Sequence, residues 1–442
     1  MIKMRVTEQA PPRARRKLEA GIVPEHRRTF VLLWLAFFVI GMGWGFTVPL
    51  FPVVIVDAGL PVHTYGLLQS YAALGSMLAQ TVVGRLSDRM GRRKPILLAS
   101  LVLMAPVVAV FPRVEVATAF GLLLACHSIL QNAFRIMINA WVRSLADSSA
   151  LGRSFGTMRI AGSLGWIVAT PLLGAVTARF HQGATFEIAA GIYIASALFI
   201  GFGVRELVAK GAAGSGSGTL DANTERDGGV GPVGETSAGA ASRTPTPAEL
   251  RSVLLFFFLA LGLFQLAQSM GISFNSIYLK EELGLSDTAF GWMFSLQAWL
   301  EVPLMITLGA MSDRIDSRRM LAVTIGLSGL RWLLLSVVGR SAWLIPVQLL
   351  HAVGVTVSEV LAVAFVARYV ARERLATVLG WKVAVQNAAL LMAPALGGYI
   401  SHAAGLQTMF QVAAALALAA AAVILLTGRR AARGNAEPRV GA

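Results

Sequence analysis

The chain has 442 residues, of which 56% are hydrophobic and 14% charged, and its mean hydropathy is +0.67. Soluble domains carry roughly 25% charged residues, so this composition excludes an ordinary soluble protein and fits one built for a bilayer. The single cysteine, Cys126, excludes an intrachain disulfide and any cysteine-cluster metal site, and it reads as a small buried thiol.

Residues 1–28 are basic and polar. The apolar run that begins at Thr29 is too long for a signal-peptide core, so the first span is expected to remain as an anchor. Runs of about 20 apolar residues span a bilayer. Twelve such runs follow one another, at 29–56, 64–83, 95–112, 115–142, 154–178, 184–204, 252–277, 287–308, 320–338, 342–367, 376–400 and 404–427. With the N-terminus inside, the inner segments hold most of the 38 Lys and Arg, and the outer loops hold only Arg113, Arg179, Lys280 and Arg340. That asymmetry places both termini in the cytoplasm. It also explains the net charge of +15 as topology, with no nucleic-acid partner.

Residues 206–250 are rich in Gly, Ser, Thr and Pro, with almost no large apolar side chains. They read as a flexible cytoplasmic linker between six spans (29–205) and six more (251–428), with a short cytoplasmic tail at 429–442. The halves repeat each other. "GRLSDRMGRRK" at Gly84–Lys94 returns as "GAMSDRIDSRR" at Gly309, and His127 and Gly156 correspond to His351 and Gly380. Parallel six-helix repeats are the layout of one large transporter class. The expected fold is therefore an all-α integral membrane protein of twelve transmembrane helices in two pseudo-symmetric six-helix bundles.

The repeated motif is placed in the short inner loop between spans two and three. Basic residues suit any inner loop; an Asp among them and two Gly seven apart need another reason. Gly84 suits close helix approach, Gly91 a tight turn, and Asp88 a bond to a helix N-terminus or an Arg. Together with Arg89 and Arg92, and with Gly309, Asp313 and Arg314 in the second copy, they form a candidate latch. This motif closely resembles the loop signature of the major facilitator superfamily, and the twelve spans and central linker extend the resemblance over almost the whole chain. The resemblance implies two lobes that rock about a central site, with the loop latching the outward-open state. Asp316 departs from it, standing where Gly is expected, which weakens the second latch.

Charges inside spans are costly and face a cavity or a partner. His127, Gln131, Arg135, Asn139 and Arg143 recur every four residues, forming one slanting polar stripe on span four. Arg135 follows His127 by eight positions, as Glu359 follows His351. Gln297 and Glu301 share a face of span eight, while Arg159 and Lys382 sit near the inner ends of spans five and eleven. Opposed charges on the two lobes are expected to pair across the cavity as it closes. A carboxylate shielded from water holds its proton more tightly, and a nearby Arg loosens it. Glu301 is accordingly the leading proton-coupling candidate and Glu359 the second. Arg331, near the outer end of span nine, is expected to snorkel to the interface.

"SLQAWLEVPLMI" around Glu301 and "RIAGSLGWIVATPLLG" from Arg159 resemble spans of bacterial sugar efflux transporters. Pro171 and Gly174 partly resemble the antiporter motif of drug–proton exchangers, but Thr170 stands where that motif has Gly. The resemblance implies proton-driven export of small sugars and glycosides; a sugar or nucleoside uptake symporter is the alternative, and a non-transporting sensor a third reading. The chain carries no GxxxxGK[ST] nucleotide motif, so the expected energy source is a proton gradient, with no cofactor, no metal and no enzymatic activity. The expected partners are a small solute, protons and the lipid of a cell (inner) membrane, and the expected state is a monomer.

Overall fold

In hydrocarbon an isolated segment satisfies its backbone only as a helix, and helices are what these runs form. The computed structural model describes residues 26–146, 151–204, 247–312, 315–357, 361–370 and 372–433, and among them there is no strand. The first half comprises α1 (Arg27–Thr47), α2 (Phe51–Asp57), α3 (Val62–Met90), α4 (Lys94–Val110), α5 (Ala117–Leu145), α6 (Leu151–Arg179) and α7 (Gln182–Gly203). The second comprises α8 (Pro247–Ile277), α9 (Asp287–Trp299), α10 (Glu301–Ser312), α11 (Ser317–Val338), α12 (Leu344–Leu349), α13 (His351–Thr356), α14 (Ala362–Tyr369) and α15 (Arg372–Arg433).

These elements make twelve rods among the described residues. α2 continues α1, α9 with α10 forms one rod, and α12–α14 form another. α15 bends at Gly405, where φ is 85°, and so supplies two. Eight helical stretches are long and apolar enough to cross a membrane, the last of them, 377–426, including that bend. The remaining rods are α3, which carries many polar residues, and the two broken ones. Turns at 91–93 and 315–316 lie at one end of the bundle, with the starts of α1 and α8. We call this the basic end, after Arg89, Arg92, Arg93 and Lys94. Turns at 58–61, 114–116 and 283–286 mark the far end.

Three boundaries differ from the sequence expectation. α3 runs on to Met90 and takes most of the charged motif into its last turns. It stops because Gly91 adopts a left-handed φ of 59° and its N–H bonds to the Ser87 carbonyl, leaving a loop of only three residues. The eighth span breaks at Leu300, because Pro303 has no N–H for the Trp299 carbonyl and its ring crowds that turn. The tenth span is divided into α12, α13 and α14.

Burying apolar side chains gains little when lipid is the alternative, so close packing must hold the helices together. In the first half α1 meets α6 through glycines. A Cβ on Gly41 would lie 2.3 Å from the Gly162 carbonyl, and one on Gly165 would lie 2.0 Å from that of Phe38. Aromatic rings fill the far end, with Phe51 4.6 Å and Phe186 5.7 Å from Phe111. In the second half Trp332 stacks on Phe410 at 5.6 Å. Lys94 donates to the Gly201 and Val204 carbonyls, both at 2.7 Å. It thereby satisfies the last turn of α7, where a helix presents partial negative charge.

Candidate functional site

The halves meet along two antiparallel seams. On the first, α6 lies against α9. Gly174 faces Asp287 and Gly291 faces the Thr170 carbonyl, each so close that an added Cβ would lie under 2.5 Å from a backbone oxygen. One turn further along, Ser295 Oγ donates to the Ile167 carbonyl at 2.9 Å and Trp166 Nε1 to that of Phe294 at 3.3 Å. On the second seam, Ser70 Oγ of α3 donates to the Leu391 carbonyl of α15 at 2.8 Å. Gly66 abuts the Pro394 carbonyl, and the His63 and His402 rings meet at a 54° tilt with centroids 4.3 Å apart.

Toward the basic end the close backbone contacts give way among the described residues. Among the described residues, Cβ atoms added to Gly84 on α3, Gly156 on α6 or Gly380 on α15 would meet nothing within 4 Å. Arg85, Leu86, Arg89, Met90, Arg92 and Trp381 are exposed. The molecule is shut at its far end and parted at its basic end. Gly84 was expected to sit close to a neighbour and does not, because the helices around it have separated. Asp316, the residue out of place in the second motif, caps α11 by accepting from the Arg318 N–H at 3.2 Å.

Arg159 and Glu301 are brought together. Arg159 Nη2 lies 2.9 Å from Glu301 Oε1, on the same α6 seam, three residues before it opens at Gly156. This ion pair joins the two halves at the edge of the parted region. Glu301 stands where Pro303 forces α10 to begin afresh, so the break and the charge occupy one turn.

The polar stripe of α5 changes character along its length. His127, in the far half, is buried; Gln131 is half-buried; Arg135, Asn139 and Arg143 are exposed. Phe134 on one side packs against Phe37 and Trp44 of α1, and Asn132 on the other bonds Ser76 of α3 at 2.8 Å. Arg135 emerges between these two contacts. The opposite face of α5 carries Cys126, which is exposed, a correction to its expected burial. With Leu103, Pro106, Val107, Leu123 and Leu130 it lines an apolar groove between α4 and α5, a surface suited to acyl chains.

In the second half Lys382 is buried and donates to Gln386 at 3.1 Å. Gln297 Nε2 donates to Gln348 Oε1 at 2.6 Å. His351 is half-buried, with Nδ1 unbonded. Glu359, Asp313 and Arg314 lie outside the described residues, as do the side chain of Asp88 and the surroundings of Gly309. Arg331 corrects the sequence reading most sharply. It is 1% exposed and points into the bundle, because Gln348 accepts from its Nη2 at 3.1 Å and the Trp332 ring lies 3.8 Å beneath it. The sequence reading missed Gln348 and Asn275 altogether; their signal was that each is polar within an apolar run.

The family described as "MFS_1 like family" matches residues 30–412, and the chain belongs to it, within the major facilitator superfamily. It is a multi-pass membrane protein of the transporter type that family defines. The chain is 25% identical to sugar efflux transporter A of Escherichia coli (strain K12) over 307 residues, 67% of this chain and 70% of that one. It is 24% identical to multidrug resistance protein MdtG of Dickeya zeae (strain Ech586) over 418 residues, 91% of this chain and 95% of that one. The fold superposes on the crystal structure of a point mutant of the nucleoside transporter NupG with a TM-score of 0.73 and 16% identity, covering 90% and 99% of the two chains.

Proposed function

We propose that the protein is a proton-coupled exporter of small polar solutes of the sugar class, working by alternating access in a cell membrane with its basic end in the cytoplasm. The observation that carries this reading is the Arg159–Glu301 pair, 2.9 Å long, at the point where the two halves part. The relatives named for sugar and drug efflux support the direction, and the basic loops support the orientation.

The steps follow from the geometry. With the basic end open, solute enters from the cytoplasm and meets Arg135 and Arg159, while Glu301 is held by Arg159. Rocking opens α6 from α9 at the far end and, as the basic end closes, turns α6 against α10 so that Glu301 exchanges Arg159 for the far-side passage. A carboxylate that loses its cation holds a proton more tightly, so Glu301 is loaded from the far side as solute leaves. Return to the state described here brings Arg159 back and expels the proton inward. The pair thus ties the protonation of one residue to the position of the halves.

The test is proton movement in inverted vesicles holding the purified protein under an imposed pH gradient, with sugars, glycosides, nucleosides and cationic dyes added in turn. One solute class should dissipate the gradient, and only with Glu301 intact. Transport that ignores both the gradient and Glu301→Gln defeats the coupling, and solute-driven proton entry in the uptake direction defeats the export.

A further inference from the structure

Four elements of the second half converge on a buried cation. Arg331 of α11 is 1% exposed. Its Nη2 donates to Gln348 Oε1 of α12, while Nε and Nη1 have no acceptor. The Gln348 oxygen is already taken by Gln297 Nε2 of α9, and the Gln348 amide donates in turn to Asn275 Oδ1 of α8 at 3.4 Å. His351, three residues beyond Gln348 and so on the same side of the rod, also has Nδ1 without a partner. Among the described residues no carboxylate pairs with Arg331.

A buried guanidinium is normally balanced by an acid, because an unpaired charge in a low-dielectric interior is strongly unfavourable. Among the described residues only neutral acceptors reach Arg331, and they are too few for its N–H groups. Nε and Nη1 together carry three N–H groups without an acceptor among the described residues, so the cluster has an excess of donors and of positive charge. The complementary chemistry is a compact, acceptor-rich anion.

The cluster also has a route to the seam. Gln297 follows Phe294 and Ser295, whose backbone and hydroxyl bond α6 across the halves, and it precedes Glu301 by four residues. In the state described, Arg331, Gln348, Asn275 and Gln297 are all buried. Parting α6 from α9 would bring Gln297, and Arg331 behind it, to the edge of the passage.

We propose that Arg331, Gln348, Gln297, Asn275 and His351 form an anion-recognising subsite, and that the transported solute carries a carboxylate, as in a sugar acid or another small organic acid. This deepens the transport reading above and rests on it, but it does not rest on the proton coupling.

The test is equilibrium binding to the full chain in lipid nanodiscs, with no gradient imposed. The probes are gluconate, glucuronate, lactate and benzoate, each against a neutral counterpart of the same skeleton. Melting temperature and tryptophan emission are read together, since Trp332 lies against the Arg331 guanidinium. At least one carboxylate should bind tenfold or more tightly than its neutral counterpart. Arg331→Gln should abolish that preference, and Arg331→Lys should restore part of it. Because Arg331→Gln removes a buried charge that no carboxylate balances among the described residues, the empty variant should melt no lower than wild type. Gln348→Met, which keeps the cation, supplies a second variant that should weaken anion binding.

Absence of carboxylate binding across the panel overturns the subsite, as does a preference that survives Arg331→Gln. The two readings fail separately. Neutral sugars that exchange with protons while no carboxylate binds would leave the exporter standing and remove the subsite. Carboxylate binding without proton movement would do the reverse.

Discussion

Arg159 Nη2 and Glu301 Oε1 are 2.9 Å apart across 142 positions of sequence, and they join the two halves where α6 leaves α10. The side chains are 44% and 16% exposed, and ion pairs in contact with water contribute at most about 1 kcal/mol to stability. A role in holding the fold and a role in coupling therefore predict different outcomes. Glu301→Gln and Arg159→Gln should each leave the melting temperature nearly unchanged and lower solute-driven proton movement at least tenfold. Exchanging the charges, with Glu at 159 and Arg at 301, should restore cross-linking of the halves more fully than it restores proton movement. A variant that unfolds while its residual protein still moves protons normally would assign the pair to structure instead.

The far-end seam is set by backbone contact, so a side chain added there should act as a wedge. A Cβ on Gly291 would lie 2.2 Å from the Thr170 carbonyl, and backbone cannot yield as a flexible side chain does. Gly291→Leu should shift the population toward a state open at the far end. The measurement is labelling of a cysteine placed at Ser295, buried in the closed seam, in a background lacking Cys126, by a water-soluble maleimide added from that side. Faster labelling than in the same protein with Gly291 intact is expected. Equal rates would mean that the seam tolerates the wedge without opening.

Two polar groups of the repeated motifs close helix ends, and they should behave as caps whether or not they also act as a latch. Lys94 bonds two carbonyls at the end of α7, and Asp316 caps α11. Loss of an N-cap costs about 1 kcal/mol, and loss of a charged donor to carbonyls costs about 1.5 kcal/mol or more before solvent screening. Lys94→Met should therefore lower the melting temperature more than Asp316→Ala. If neither variant melts lower, these contacts are not maintained in the bilayer.

The fold was legible because its signals are long. Apolar runs of span length, basic inner loops and a duplicated motif each constrain whole helices, and they survive uncertainty of several residues at any boundary. What escaped was local. Pro303 announced the break at Leu300, but α12–α14 carry no such mark, and α3 ran past its apolar stretch because only Gly91 could end it. The site was legible in part for the same reason. Arg159 and Glu301 could be named because each is a charge in an apolar span, yet their pairing depends on the seam register between α6 and α9, which periodicity on a single helix does not encode. Arg331 was misread because its sequence neighbours, "GLRWLLL", look like a lipid-facing run. Its actual partners, Gln348 and Gln297, come from other rods.

Cys126 provides the most direct check on which face of α5 meets lipid. The thiol is exposed but lies among Leu103, Pro106, Val107, Leu123 and Leu130 in a groove lined by carbon. A groove lined by carbon admits an apolar reagent slowly from the lipid and excludes a charged one. In proteoliposomes a membrane-soluble maleimide should therefore modify Cys126 slowly, and a charged, water-soluble maleimide should not modify it at all. Arg135 lies on the opposite side of the helix, so a cysteine placed there in a Cys126→Ser background should show the reverse preference, reacting with the charged reagent that enters from the basic end. If Cys126 reacts readily with the charged reagent, the α4–α5 face is in contact with water. The rod would then be rotated relative to the bilayer, and Arg135 would face lipid instead of the solute path.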